Sequence, residues 1–313
     1  MSTQRKVLIT TSSFGKTGDR PVEMLVEAGI DYQLNPYGRK LKPEESLSLM
    51  SDIDGIIAGT ERMDQEMLSQ AARLKVISRV GTGLDSIDLA AAKELGIAVF
   101  NTPDAHVEAV AELTLAGILD VFRHVSQAGR SIREGSWRKP MGRLLHGKVV
   151  AIVGLGRIGK ALVRLLHPFD VTLLAYDPFP DTAFADQYGI QYLPLETLLP
   201  SADVVTLHLP YSKDNYHLFD DRLLALMKPD SILVNCARGG LVDEAALLTQ
   251  LQSGKLAGAY LDTFENEPYD GPLTTLENVL LTPHIGSYAA ECRLRMETEA
   301  VENLLHYFQD VEG

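Results

Sequence analysis

Val149-Val150-Ala151-Ile152-Val153-Gly154-Leu155-Gly156-Arg157-Ile158-Gly159 stands near the middle of this 313-residue chain, a short β-branched run that ends in the spacing GxGxxG. Glycines alone mark ordinary turns. Here the run reads as a strand, Lys160-Ala161-Leu162-Val163-Arg164-Leu165-Leu166 continues with helical spacing, and the next apolar run ends at Asp177. A strand, a glycine turn and a helix place backbone N–H groups at a helix N-terminus, which stabilises a pyrophosphate, while a carboxylate closing the second strand accepts from a ribose 2′-hydroxyl. Gly154, Gly156 and Gly159 are therefore expected to cradle a dinucleotide, and Asp177 to hold its ribose. A carboxylate repels a 2′-phosphate, and Pro178 and Phe179 supply no arginine to receive one, so the expected cofactor is NAD rather than NADP.

A dinucleotide-binding unit normally begins at this motif, so the preceding half of the chain needs a fold of its own. Residues 6–10, 55–58, 75–80 and 97–100 read as strands, and residues 21–28 and 89–95 have helical spacing. A second series runs from Lys148 through 171–176, 203–207, 231–235, 258–261 and 279–281. The expected fold class is α/β, with two Rossmann-like or flavodoxin-like domains, each a parallel sheet covered by helices. Between them lies one long helical pattern at about 106–133, followed by a linker, Gly135-Ser136-Trp137-Arg138-Lys139-Pro140. The last helical pattern, 288–308, has no strand to cross to and is expected to pack back on the first domain. The expected division is a substrate domain made of 1–101 plus 287–313, interrupted by an inserted NAD-binding domain at 102–286.

With 45% hydrophobic and 23% charged residues the composition is that of an ordinary globular protein. The formal charge of −13 and the absence of a long basic run argue against nucleic acid or an anionic membrane surface as partner. Cys236 and Cys292 are too few for a disulfide framework and lack metal-binding spacing, so no metal is expected and a reducing compartment fits. No signal peptide or membrane-spanning run is recognisable, and the expected location is cytoplasmic. Gly15-Lys16-Thr17 resembles the end of a P-loop, but the first glycine would fall on Thr10, so ATP binding is not expected.

Three further segments follow strands of the second series: Asn235-Cys236-Ala237-Arg238-Gly239-Gly240-Leu241-Val242-Asp243, then Asp262-Thr263-Phe264-Glu265-Asn266-Glu267-Pro268, then Thr282-Pro283-His284-Ile285-Gly286. Loops at the carboxyl ends of parallel strands are where open α/β sheets bind ligands. Arg238 offers a bidentate fork to a carboxylate, Glu267 can hold an imidazole, and His284 can move a proton near neutral pH. Singly, each has an ordinary alternative as a surface charge, a turn residue or a core histidine. Together, at one sheet edge beside a dinucleotide motif, they read as a catalytic set.

At this point the chain resembles the D-isomer-specific 2-hydroxyacid dehydrogenases over essentially its full length. The matching stretches are Gly81-Thr82-Gly83-Leu84-Asp85-Ser86-Ile87-Asp88, Asn101-Thr102-Pro103, Ala109-Val110-Ala111-Glu112-Leu113, the glycine motif with Asp177, Leu207-His208-Leu209-Pro210, and the three loop segments. The resemblance implies that Arg238, Glu267 and His284 are the catalytic arginine, glutamate and histidine. It places Arg157 and Ile158 along the pyrophosphate, and His208, Pro210, Cys236 and Ala237 along the dinucleotide cleft. Asp262 would meet the nicotinamide carboxamide, with Gly286 in the same cofactor set. Cys236 stands where relatives more often carry a small or hydroxylic residue and reads as a buried structural thiol. Gly81 and Thr82 correspond to the loop whose N–H groups hold the substrate carboxylate. Arg79 and Arg62 are candidate phosphate ligands, or else solvated charges. After Asn101-Thr102-Pro103 the chain departs from the family with Asp104-Ala105-His106; His106 reads as the start of the crossing helix, with a contact in the cleft as the alternative.

The implied partner is a small 2-hydroxy or 2-oxo acid, first of all D-3-phosphoglycerate and its 2-oxo counterpart, 3-phosphohydroxypyruvate. Glyoxylate or hydroxypyruvate reduction is the nearest rival, and an NAD-sensing, corepressor-like binding protein is the reading from another class. The resemblance also implies a homodimer formed through the crossing-helix region, and hydride transfer in a cleft between the domains. In oxidation His284 would take the hydroxyl proton, Glu267 would orient the ring, and Arg238 would bind the carboxylate or carbonyl oxygen.

Overall fold

A computed structural model describes residues 4–312, which divide into two compact units, the first running up to His106 and resuming at Ser287, the second spanning 107–286. Unit 1 contains β1 (Lys6–Ile9), α1 (Arg20–Glu27), β2 (Asp31–Leu34), α2 (Pro43–Leu49), β3 (Gly55–Ala58), α3 (Gln65–Gln70), β4 (Val76–Arg79), α4 (Leu89–Glu94) and β5 (Ala98–Asn101). Its sheet is parallel throughout, in the order β2-β1-β3-β4-β5. That is the flavodoxin-like order, with its switch point between β1 and β3. Buried runs such as Gly55-Ile56-Ile57-Ala58 lie between helix layers. The helices begin at capping aspartates where the chain offers them: Asp64 accepts from Met67 N–H, and Asp88 from Ala91 N–H, each at 3.0 Å.

Unit 2 opens with α5 (Val107–Arg123) and α6 (Val125–Arg133) and continues through β6 (Val149–Val153), α7 (Arg157–Leu166), β7 (Thr172–Tyr176), α8 (Thr182–Tyr188), β8 (Gln191–Tyr192) and α9 (Leu195–Leu198). It ends with β9 (Val204–Leu207), α10 (Asp221–Leu226), β10 (Ile232–Asn235), α11 (Glu244–Gln252), β11 (Gly258–Leu261) and β12 (Val279–Leu281). The seven parallel strands run β12-β11-β10-β9-β6-β7-β8. This is the doubly wound dinucleotide-binding order with one strand added at the edge. Apolar cores lie on both faces of the sheet, one of them around α5 and α7.

The last helix, α12 (Ala290–Glu312), belongs to unit 1, where it packs on α1, β3, β4 and β5. Its Arg293 and Glu297 are buried and paired at 3.0 Å, and the Glu297 carboxylate accepts from Gly15 N–H at 2.9 Å. A buried pair of this kind is better tolerated where further hydrogen bonds reach it, and here Arg293 Nη2 also donates to the Ser13 and Thr11 hydroxyls.

Some elements differ from the sequence expectation. The single long pattern over 106–133 is two helices, because His124 turns left-handed (φ 55°) and Asp120 caps the second helix by accepting from Ser126 N–H at 2.7 Å. Two strands carry no recognisable pattern: β2 is largely exposed with the sequence Asp31-Tyr32-Gln33-Leu34, and β8 has two residues at the sheet edge. Among the described residues no helix is long and apolar enough to cross a membrane.

Candidate active site

The dinucleotide half of the site is built around β6 and β9, neighbours at the switch point of the unit 2 sheet. The glycine positions are fixed by close approach. A Cβ on Gly154, whose φ is 101°, would lie 2.7 Å from the His208–Leu209 backbone, and one on Gly159 would lie 2.4 Å from the Gly154 carbonyl oxygen. Gly156 differs, since a Cβ there meets nothing within 4 Å; it fronts open space at the start of α7. Arg157, exposed, and the half-buried Ile158 form the first turn of that helix. At the end of β7 the Asp177 carboxylate accepts from Leu155 N–H at 2.7 Å and from Phe179 N–H at 2.8 Å, tying the glycine loop to the neighbouring strand.

His208 follows β9, and its Nε2 lies 3.0 Å from the buried Thr206 hydroxyl. Its Nδ1 is shut off from solvent and finds no partner within the protein. Burial lowers the ring's pKa to about 4, so it is neutral at pH 7. Pro210 is exposed beyond it. An open glycine at a helix N-terminus, a carboxylate closing the next strand and a buried ring nitrogen lacking a protein partner form a donor and acceptor set that fits a dinucleotide. Cys236 and Cys292 are buried thiols rather than halves of a disulfide, and burial pushes the Cys236 thiol up to about 12. Cys236 is thus an uncharged packing group against α5 rather than a nucleophile.

The other half lies on the loops after β10, β11 and β12. Buried Asn235 shapes the first: its side-chain amide donates to the Arg238 carbonyl at 2.9 Å and its side-chain oxygen accepts from Ala237 N–H at 3.0 Å. Arg238 is half-buried, with Nη1 donating to the Ala237 carbonyl at 2.7 Å. Gly239 brings this loop onto the second, since a Cβ there would fall 1.9 Å from the Phe264 carbonyl carbon. In the second loop Glu267 accepts from Phe264 N–H at 3.1 Å, and its other oxygen lies 2.9 Å from His284 Nδ1. His284 has a left-handed backbone (φ 53°), and both partners of the pair are partly open to solvent.

Asp262 holds the third loop. It is fully buried, and its carboxylate accepts from the Thr282 hydroxyl and, at 2.8 Å each, from Ile285 and Gly286 N–H. Desolvation raises its pKa, opposed by those same bonds. The residue expected at the nicotinamide therefore braces the segment that carries His284. Asn235 and Thr282 do comparable bracing, and neither was singled out by the sequence, because an amide or hydroxyl that shapes a loop leaves no spacing pattern.

The remaining expected residues lie in unit 1. Gly81 (φ 138°) donates its N–H to Thr102 Oγ1 at 2.8 Å, and Asn101 donates to the Thr82 carbonyl at 2.8 Å, so Asn101-Thr102-Pro103 holds this loop. The Arg79 guanidinium turns back onto the Val80 carbonyl and covers Gly81. Arg62 is exposed beside Asp64 at 3.4 Å. His106 directly precedes α5, and its ring also reaches the Thr82 hydroxyl at 3.1 Å; it is more than a helix start. Among the described residues no cluster of metal-ligating side chains occurs.

Fold and site together define a two-unit α/β protein with a doubly wound dinucleotide domain and an arginine, glutamate and histidine on neighbouring strand ends. Residues 115–286 match the family model described as D-isomer specific 2-hydroxyacid dehydrogenase, NAD binding domain, and the chain belongs to that family. The chain is 40% identical over 270 residues to a D-3-phosphoglycerate dehydrogenase of Methanocaldococcus jannaschii, covering 84% of this chain and 51% of that protein. It is 38% identical over 294 residues to a glyoxylate reductase of Pyrococcus furiosus, covering 90% and 88%. The structure superposes on the TT0316 protein from Thermus thermophilus with a TM-score of 0.90 at 37% identity, covering 97% of each chain. This chain spans about half the length of the phosphoglycerate dehydrogenase it matches. Unit 2 is an NAD-binding domain.

Proposed function

We propose that this protein is an NAD-dependent oxidoreductase that interconverts a D-2-hydroxy acid and its 2-oxo acid. The observation that carries the reading is the Glu267–His284 pair at 2.9 Å on loops adjoining Arg238, in a domain whose glycine loop fits a dinucleotide. Bound there, NAD supplies the hydride acceptor and NADH the donor. His284 Nδ1–H donates to Glu267, which fixes the tautomer and leaves Nε2 to exchange a proton with the substrate oxygen. Glu267 also compensates the imidazolium formed when His284 takes up the hydroxyl proton. The Arg238 fork orients the carboxylate and opposes negative charge growing on the carbonyl oxygen during reduction. Arg79, Gly81 and Thr82 are assigned to the substrate carboxylate or its distal group, so Thr82→Ala raises KM for the acid more than it lowers kcat.

The substrate proposed first is 3-phosphohydroxypyruvate, with D-3-phosphoglycerate in the reverse direction. The likeness to the Methanocaldococcus protein and the guanidinium of Arg79 over Gly81 support it. Glyoxylate is the second reading, supported by the similarity along nearly the whole length of the Pyrococcus reductase. The test follows NADH oxidation with 3-phosphohydroxypyruvate, glyoxylate, hydroxypyruvate and pyruvate. The largest kcat/KM is expected for the first, and turnover of none would overturn the enzyme reading in favour of a binding protein. His284→Ala is expected to lower kcat by roughly 10²–10⁴-fold with NADH binding intact; near-wild-type turnover would remove His284 from its role.

The working form proposed is a homodimer. On α6 and the segment after it, Val125, Ile132, Trp137, Met141 and Leu144 are all well exposed, an apolar run unusual for a solvated surface. Light scattering should give twice the chain mass, and Trp137→Ser with Met141→Ser should give the single mass.

A further inference from the structure

The loop that carries Glu267 holds a second glutamate, Glu265, and that one also meets a histidine. Glu265 Oε1 lies 2.6 Å from His217 Nε2, in a half-buried pair, and Tyr216 OH donates to the other carboxylate oxygen at 3.3 Å. The Tyr216 ring stacks on the imidazole at 3.8 Å between centroids, which limits the ring's freedom to turn away. His217 has a left-handed backbone (φ 52°), a conformation that favours glycine or asparagine, so its imidazole is held there at a backbone cost. Its own N–H donates to the Gly240 carbonyl at 2.8 Å, and Phe219 N–H donates to the Leu241 carbonyl at 2.9 Å.

One residue therefore grips two working loops. Through its backbone His217 holds the segment just after Arg238, and through its ring it holds the segment just before Glu267. Glu265 is anchored from the far side as well, its N–H donating to Glu244 Oε1 at 2.8 Å. The loop 265–267 thus has a histidine on each of its glutamates, His217 on Glu265 and His284 on Glu267.

We propose that His217 and Glu265 form a positioning pair that fixes the spacing between Arg238 and Glu267, and through Glu267 the aim of His284. The pair touches no reacting atom; it sets where the groups that do so stand. This rests on the reading of Arg238, Glu267 and His284 as the working groups, so the test includes a measurement independent of turnover.

His217→Asn keeps a side chain that accepts the left-handed backbone but is too short to reach Glu265. It is expected to lower kcat between about 10- and 100-fold, the loss that follows a misplacement of roughly 1 Å. KM for NADH and the melting temperature should hold, while amide exchange over residues 264–267 speeds up. His217→Gln, whose longer amide can donate to Glu265, should restore most of kcat and slow the exchange again. Wild-type kcat and wild-type exchange in His217→Asn would overturn the pair. So would a loss of kcat that follows a lowered melting temperature and is not relieved by glutamine. Should the unmodified protein reduce none of the 2-oxo acids, the functional reading falls, and unchanged exchange in His217→Asn would then overturn the pair by itself.

Discussion

The Asp177 carboxylate braces a loop and keeps room for the ribose role proposed for it. Its oxygens accept from Leu155 and Phe179 N–H, which holds the glycine loop against β7. An ionised carboxylate offers about four acceptor positions, so two backbone bonds leave capacity for ribose hydroxyls. Its charge opposes a 2′-phosphate at short range. Asp177→Ala is expected to weaken NADH binding and bring the kcat/KM ratio of NADH to NADPH toward unity, measured with one 2-oxo acid at fixed ionic strength. An unchanged preference would place the ribose elsewhere. A second residue-scale consequence concerns His208, whose ring is held down to about 4 from the ordinary 6.5. Well above pH 6.5 the ring is neutral in both states and adds no pH dependence. Between about 6.5 and 4 the unfolded chain binds a proton that the folded one does not, so stability falls with pH by up to about 3 kcal/mol. Urea midpoints should therefore drop more steeply from pH 7 to pH 4.5 in the wild type than in His208→Gln, and parallel curves would contradict the burial argument.

Among elements, α5 shows how tightly unit 2 is assembled. Gly117 lies flat on Tyr260 of β11, where an added Cβ would come within 1.9 Å of the ring. Tyr260 is fully buried, and its hydroxyl lies 3.0 Å from Thr282 Oγ1, so the ring has no path out. Gly117→Ala is expected to destabilise unit 2 by about 1–3 kcal/mol through overpacking, despite alanine's better helix propensity, read as a lowered urea midpoint. The position looks like an ordinary weak spot in a helix until the sheet beneath it is known. The same limit explains what could be read in advance and what could not. Strands buried on both faces, such as Val204-Val205-Thr206-Leu207, announce themselves by continuous apolar character. The polar edge strands β2 and β8 do not, and the break at His124 depends on the Asp120 carboxylate, which accepts from the Ser126 N–H six residues further on. The glycine motif and the carboxyl-end loops were legible because they follow such strands directly. The braces of those loops, Asp262 on His284's segment and His217 on Glu265, join segments distant in sequence and only the fold brings them together.

At the scale of the whole molecule, the chain leaves unit 1 after β5, builds all of unit 2, and returns to unit 1 with α12. Completing unit 1 therefore requires contacts between the two ends of the chain, whereas unit 2 is continuous in sequence. Leu304 and Phe308 fill the space above Gly55, where a Cβ would lie 3.0 Å from Leu304 and 3.1 Å from Phe308, and both side chains are buried. Leu304→Ala removes a wholly buried side chain from this junction, a loss of about 2–5 kcal/mol. Unit 2 has its own cores and contains the residues proposed to hold the cofactor, so the loss should fall on one unit. Hydrogen exchange of Leu304→Ala is expected to accelerate across β1, β3 and β4 while β6, β9 and β10 keep wild-type protection. NADH should bind this variant with wild-type affinity in a fluorescence titration, because its glycine loop, Asp177 and His208 all belong to unit 2. Equal acceleration in both sheets would mean instead that the units unfold as one, and that stability given by NADH to unit 2 is shared by unit 1 through linkage.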